Sequence, residues 1–180
     1  MRGKHITLVL GGAGSGKSRY AQALASREKN VVFLATAQAC DEEMRVKIAR
    51  HTRERPRSWK TVEVPFDLDR AILQYGASSF LIVDCLTTLA ANWLVARQAG
   101  YETILACIEA ISSALLQSPA SAVLVSNEVG SGIVPEFPSG RQFREVLGQV
   151  NQRIARISDN VILMVAGYPL AVKGTAEVSS

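Results

Sequence analysis

Gly11-Gly12-Ala13-Gly14-Ser15-Gly16-Lys17-Ser18 has the spacing of a phosphate-binding loop, G-x-x-x-x-G-K-[ST]. The glycines let backbone N–H groups turn inward around an oxyanion. Lys17 adds a point charge at the β- and γ-phosphates, and the Ser18 hydroxyl is placed to ligate Mg²⁺. The helical pattern that starts at Lys17 would aim its positive end at the same phosphates. A second signature is Phe80-Leu81-Ile82-Val83-Asp84, an apolar strand ending in a carboxylate. After a phosphate loop, such an acid is expected to hold the Mg²⁺ shell.

The chain has two histidines. His5 begins the first apolar run, away from its carboxyl end. His51 lies near the end of a helical pattern opened by Asp41, Glu42 and Glu43 and continued by Arg45, Lys47 and Arg50, a charge order that matches the helix dipole. Met44, Ile48 and His51 share one face of it. His51 either completes an apolar stripe or acts as a nucleophile. Thr52, Arg53, Arg55 and Arg57 follow it; they attract phosphates and favour the neutral, nucleophilic imidazole. Asn127-Glu128, after another apolar run, would orient a substrate hydroxyl or simply cap a loop. Trp59 and Trp93 read as packing residues, and an aromatic content of 6% argues against a single-strand-binding surface.

The elements that must position these groups alternate. Apolar runs at 5–10, 31–36, 80–84, 122–126 and 161–166, with a weaker one at 61–64, read as strands buried on both faces. Helical patterns fall near 17–28, 41–54, 67–75, 86–98, 102–117 and 140–157. Repeated βα units give an α/β fold: a mostly parallel sheet with helices on both faces, in one domain spanning 1–180. Ligands of such sheets bind beyond the carboxyl ends of the strands. Residues 130–140 read as a loop at that edge, and 174–180 as a loose tail.

The balance of 48% hydrophobic and 20% charged residues is that of a soluble globular protein. No apolar stretch has the length of a secretory signal or a membrane span. Cys40, Cys85 and Cys107 are scattered and odd in number, which predicts reduced thiols in a cytoplasmic protein and no zinc site. The net charge is +4, yet residues 45–60 alone carry +6 and the remainder sums to −2. A local cluster suits a compact anionic ligand better than a nucleic-acid track.

Several stretches then converge. They are the phosphate loop; Ala35-Thr36-Ala37; Asp41-Glu42-Glu43-Met44; Lys47-Ile48 to His51 with Arg55-Pro56; Trp59-Lys60-Thr61-Val62-Glu63; Val83-Asp84-Cys85-Leu86-Thr87; Val125 to Gly130 with Gly132-Ile133-Val134-Pro135; and Arg141 to Arg144 with Gly148-Gln149-Val150-Asn151-Gln152. Together, over about residues 5–172, these closely resemble the bifunctional adenosylcobinamide kinase/adenosylcobinamide-phosphate guanylyltransferases of cobalamin biosynthesis. The resemblance implies a P-loop NTPase with a RecA-like sheet, assembled as a homotrimer. It implies phosphorylation of the aminopropanol hydroxyl of adenosylcobinamide by ATP or GTP. GMP then passes from GTP to a histidine and on to adenosylcobinamide phosphate. By motif the guanylylated residue is His51, with Lys17 as the catalytic lysine. The nucleotide-binding positions are Gly11, Gly12, Ala13, Gly14, Ser15, Gly16, Lys17, Ser18, Ala35, Thr36, Ala37, Thr52, Arg53, Glu54, Arg55, Glu63 and Asp84. Ser18 and Asp84 would ligate Mg²⁺. Where the family's loop often has Arg, this chain has Gly14, which keeps the backbone cradle but gives up one side-chain contact. Other readings of the residues themselves are a monofunctional P-loop kinase, a RecA-type nucleic-acid-binding ATPase and a nucleotide-dependent switch.

Overall fold

The computed structural model describes residues 3–39, 42–53 and 55–176, without the side chains of Glu43, Met44, Lys47, Arg50 and His51. Seven strands form one sheet: β1 (Ile6–Gly11), β2 (Val31–Ala35), β3 (Lys60–Glu63), β4 (Phe80–Asp84), β5 (Ala122–Val125), β6 (Asn160–Val165) and β7 (Tyr168–Lys173). Their order is β3-β2-β4-β5-β1-β6-β7. All pairings are parallel except β6 with β7. The central strands are continuous Val/Ile/Leu runs because both faces are covered, so no side chain has a solvent side to alternate towards.

One face packs Ile6, Leu8, Leu34, Leu81, Val83 and Leu124 against α3 (Leu68–Tyr75), α4 (Leu86–Ala91), α5 (Tyr101–Gln117) and α6 (Pro138–Ile157). The other packs Val9, Phe33, Ile82, Val123 and Ile162 against α1 (Lys17–Ala25). Each large side chain buried in these layers contributes roughly 1.5–3 kcal/mol. Helix α2 (Glu42–Arg53) leaves Val46 exposed and Ile48 half-buried. Among the described residues no helix is long and apolar enough to cross a membrane.

Two elements depart from the sequence reading. The helix expected over 86–98 ends at Ala91 and continues as a π-helical turn over Asn92–Ala96. Buried Asn92 donates through Nδ2 to the carbonyls of Thr36 and Pro65, both at 2.9 Å, which ties the turn to the loops after β2 and β3. Strand β7 was not foreseen. A tight turn at Ala166 (φ 50°) and Gly167 (φ 88°) reverses the chain into it. Positive φ at both turn residues gives the twist that a two-residue hairpin needs.

Candidate active site

Strand β1 delivers the phosphate loop to the carboxyl edge of the sheet. Gly11 has φ 150°, and a Cβ there would meet the Met164 carbonyl oxygen at 2.6 Å, so a side chain is excluded. Gly14 (φ 71°) and Gly16 (φ 95°) take left-handed backbone. The Ser15 N–H donates to the Gly12 carbonyl at 3.3 Å and closes the loop. The hairpin turn braces it from behind: the Gly167 N–H donates to the Ser15 carbonyl at 3.1 Å, and a Cβ on Gly16 would touch Gly167. The Ser15 Oγ is buried without a partner.

Lys17 is the first residue of α1, is 8% exposed, and donates through Nζ to the Gly12 carbonyl at 2.5 Å. Burial lowers its pKa, opposed by the charges of Cys85 and Asp84. The Cys85 thiol is itself pushed up by burial and by Asp84, so at neutral pH it is uncharged. Asp84 is therefore the working counter-charge. Ser18 follows Lys17 at the start of α1, partly buried.

Asp84 ends β4, in register with Ala35 of β2 and Val125 of β5. Ala35 also pairs with Glu63, so Glu63, Ala35 and Asp84 stand level across three strand ends. Thr36 is fully buried and locks this edge: its Oγ1 donates to the Cys85 carbonyl and accepts from the Cys85 N–H, both at 2.8 Å. Ala37 follows, half-buried. Arg55 lies over the Phe33 ring, 3.5 Å from its centroid, and its Nη1 donates to Thr61 Oγ1 at 3.4 Å. Its Nε is buried without a partner. Desolvation lowers the Arg55 pKa against the pull of Asp84.

The loop after β5 reaches the same edge. The Asn127 N–H donates to Thr87 Oγ1 at 2.7 Å, and Asn151 Nδ2 donates to the Asn127 carbonyl at 3.0 Å. The Glu128 N–H donates to the Gly11 carbonyl at 3.0 Å, joining this loop to the phosphate loop. The Glu128 carboxylate accepts from the Gly130 and Ser131 N–H groups at 2.7 and 3.2 Å. Burial alone would raise its pKa; the hydrogen bonds from Ser131 and Gly130, with Arg144, outweigh it and hold the carboxyl below the usual range. Of the two readings of Asn127-Glu128, loop capping is what the Glu128 carboxylate does here. Arg144, on α6, donates to the carbonyls of Gly130 and Gly132, and Arg141 to those of Pro135 and Glu136.

The structure thus gathers the phosphate loop, Asp84, Ala35, Thr36, Ala37, Arg55 and Glu63 at one edge. Thr52 and Arg53 are exposed; the Thr52 hydroxyl donates back to the Ile48 carbonyl at 2.9 Å, and the Thr52 carbonyl accepts from the Arg55 N–H at 3.3 Å. Glu54 and the His51 side chain lie outside the described residues. His5 is exposed, 4.0 Å from Asp159. Asn92 and Gly167 are supports that the sequence reading missed, and Thr87 and Asn151 are supports that it quoted only within the family-like stretches, without a role. Only the Ala166-Gly167 pair between two apolar runs carried a local signal, that of a hairpin.

Among the described residues no group of three or more His, Cys, Asp or Glu could hold a metal. The Ser18 hydroxyl at the loop and the Asp84 carboxylate at the end of β4 fit a hard cation that takes its other oxygens from phosphates and water, as Mg²⁺ does.

A glycine-rich loop between a buried strand and a helix, with its acid two strands away across β5, defines a P-loop NTPase of RecA-like build. More narrowly, the chain belongs to the family described as cobinamide kinase / cobinamide phosphate guanyltransferase, whose model matches residues 7–172. It is 39% identical over 180 residues to the bifunctional adenosylcobalamin biosynthesis protein CobU of Escherichia coli (strain K12), covering 93% of this chain and 99% of the relative. The same figures hold for CobU of Salmonella typhimurium. CobP of Pseudomonas aeruginosa is 39% identical over 173 residues, covering 93% and 96%. Among solved structures, the P4 protein from bacteriophage phi6 in complex with ADP has the same fold, with TM-score 0.50 and 17% identity. The match takes in 92% of this chain and 54% of the P4 chain.

Proposed function

We propose that this chain performs both reactions of its family at one carboxyl edge, phosphorylating adenosylcobinamide and then guanylylating the product through His51. The observation that carries the reading is that two cations from separate segments reach the carboxyl edge where Asp84 ends β4, Lys17 at the start of α1 and Arg55 stacked on Phe33 of β2. Lys17 comes from the phosphate loop, and Arg55 from the segment just after His51. In the kinase step the aminopropanol oxygen attacks the γ-phosphorus of ATP or GTP. The bond to the β–γ bridging oxygen breaks and the nucleoside diphosphate leaves. In the second step an imidazole nitrogen of His51 attacks the α-phosphorus of GTP and releases pyrophosphate. A phosphate oxygen of adenosylcobinamide phosphate then displaces the imidazole and carries GMP away. Lys17 and Arg55 stabilise the charge on the phosphoryl oxygens. Ser18 and Asp84 would hold Mg²⁺, which when bound neutralises phosphate charge. Neighbouring strands are about 4.8 Å apart, so the phosphate loop and Glu63, four strand spacings away, are about 19 Å apart, room for a nucleotide laid along the edge. A homotrimer fits the exposed apolar strand β7, where Tyr168, Leu170 and Val172 stand in solvent; cytoplasmic residence fits the free thiols of Cys85 and Cys107.

The test is intact mass after incubation with GTP and Mg²⁺. A guanylyl adduct, labile in acid and stable in base, is expected on the parent and absent from His51→Ala. The alanine variant should keep phosphorylating adenosylcobinamide, which needs no protein nucleophile. An adduct that persists in His51→Ala places the nucleophile elsewhere.

A further inference from the structure

A cleft of about 610 Å³ opens beside the phosphate loop. Gly12 and Ser15 form one wall, Glu128, Val129 and Ser131 another, and the end of β6 the floor. It lies across the end of β1, between the loop after β5 and the end of β6, whereas Asp84, Ala35 and Glu63 stand at the ends of β4, β2 and β3, beyond β5. A nucleotide running from the loop towards Glu63 leaves this cleft open.

We propose that the cleft, with the apolar loop tip next to it, is the acceptor site: it takes the aminopropanol arm of a corrinoid while the macrocycle rests on Ile133, Val134 and Phe137. This rests on the proposed function and adds where the acceptor binds. The cleft shares Gly12 and Ser15 with the loop that holds the phosphates, so an arm lying in it brings a hydroxyl to the terminal phosphate. Its lining is apolar at Val129, Leu163 and Val165, with a few polar groups to fix orientation, the usual make-up of a small-molecule site. Glu128 uses one carboxylate oxygen on each of two backbone N–H groups. An ionised carboxylate offers about four lone-pair positions, so capacity remains for a hydroxyl or for the amide N–H groups of corrinoid side arms. A corrin macrocycle is larger than this cleft, so its face must lie outside. The adjoining surface is the tip, where Ile133 is 96%, Val134 64% and Phe137 70% exposed. The tip is held rather than loose, since Arg144 and Arg141 bind four of its carbonyls. A pre-ordered apolar platform loses little entropy when a flat ligand settles on it.

The experiment is equilibrium dialysis of adenosylcobinamide, followed by its colour, against the full chain, Ile133→Asp and Val134→Asp, with Leu73→Asp, at an exposed position on the outer side of α3, as control. Guanylyl adduct formation from GTP alone and sedimentation mass are measured on each. The tip variants should bind the corrinoid at least tenfold more weakly, with adduct formation within twofold of the parent and Leu73→Asp unchanged throughout. Corrinoid binding equal to the parent in both tip variants overturns the acceptor site while leaving the two-reaction reading intact. Equal losses in Leu73→Asp, or a change of sedimentation mass in the tip variants, also overturn it, the latter by making the tip a subunit contact. A parent that forms no adduct and binds no corrinoid overturns the proposed function and this inference with it.

Discussion

At the level of single residues, Lys17 sits where burial disfavours its charge, and the Gly12 carbonyl and Asp84 offset this only in part. Its folded pKa is below its unfolded value, so below that folded pKa the charge is held at a cost, and the cost fades as pH rises towards the ordinary lysine range. Lys17→Met should therefore melt no lower than the parent without nucleotide, and any advantage should shrink between neutral pH and pH ~10. It should also lose at least tenfold in GTP affinity, read as the lost rise in melting temperature on adding GTP. Arg55 makes a different claim. A guanidinium on an aromatic face contributes about 0.5–2 kcal/mol, so Arg55→Lys should slow adduct formation roughly 2- to 30-fold without unfolding the chain, and Arg55→Ala more. The phosphate loop and Asp84 were legible in the sequence because their chemistry is local: eight consecutive residues, and one acid at the end of an apolar run. The stack of Arg55 on Phe33 was not, since it joins positions that are close only once β2 and the segment before β3 have packed.

At the level of elements, the loop after β5 works as a unit with α6. Arg144→Ala removes two charge-assisted hydrogen bonds from the loop carbonyls, and Glu128 closes the turn from the other side. Amide protection at 129–133 should fall about tenfold in Arg144→Ala while global stability changes by less than ~1 kcal/mol, as for an exposed contact. The carboxyl of Glu128 has a depressed folded pKa, so its contribution is complete above the ordinary carboxylate range and is lost as pH falls through the folded value. Protection of Gly130 and Ser131, corrected for intrinsic exchange, should drop in that acid window, and Glu128→Gln should remove the dependence. The parallel strands could be read from continuous apolar runs. Strand β7 carried only the turn signal of Ala166-Gly167, because Tyr168, Leu170 and Val172 face solvent and Pro169 breaks the pattern. The helix at 86–98 divides because Asn92 bonds to two distant loop carbonyls, and no periodicity shows that.

At the level of the whole molecule, strand order decides what meets what. β5 separates the loop strand from the acid strand, and β1 is left with a nucleotide side and an open side. Sequence alone gave the parallel sheet but not the order that divides those two sides, because order is fixed by crossovers between distant runs. If β7 is the contact of a homotrimer, the parent should sediment near three times 19.4 kDa, and Leu170→Lys should shift it to the single-chain mass. The turn at Ala166-Gly167 has a practical bearing on anyone who engineers this chain. Tight turns between surface strands are favoured places to splice in an epitope or a fluorescent reporter. Here the turn is the back wall of the phosphate loop, through Gly167 and Ser15. A short tag spliced between Ala166 and Gly167 should give well-folded, soluble protein that GTP no longer stabilises against heat, whereas the same tag fused after Ser180 should leave that stabilisation whole.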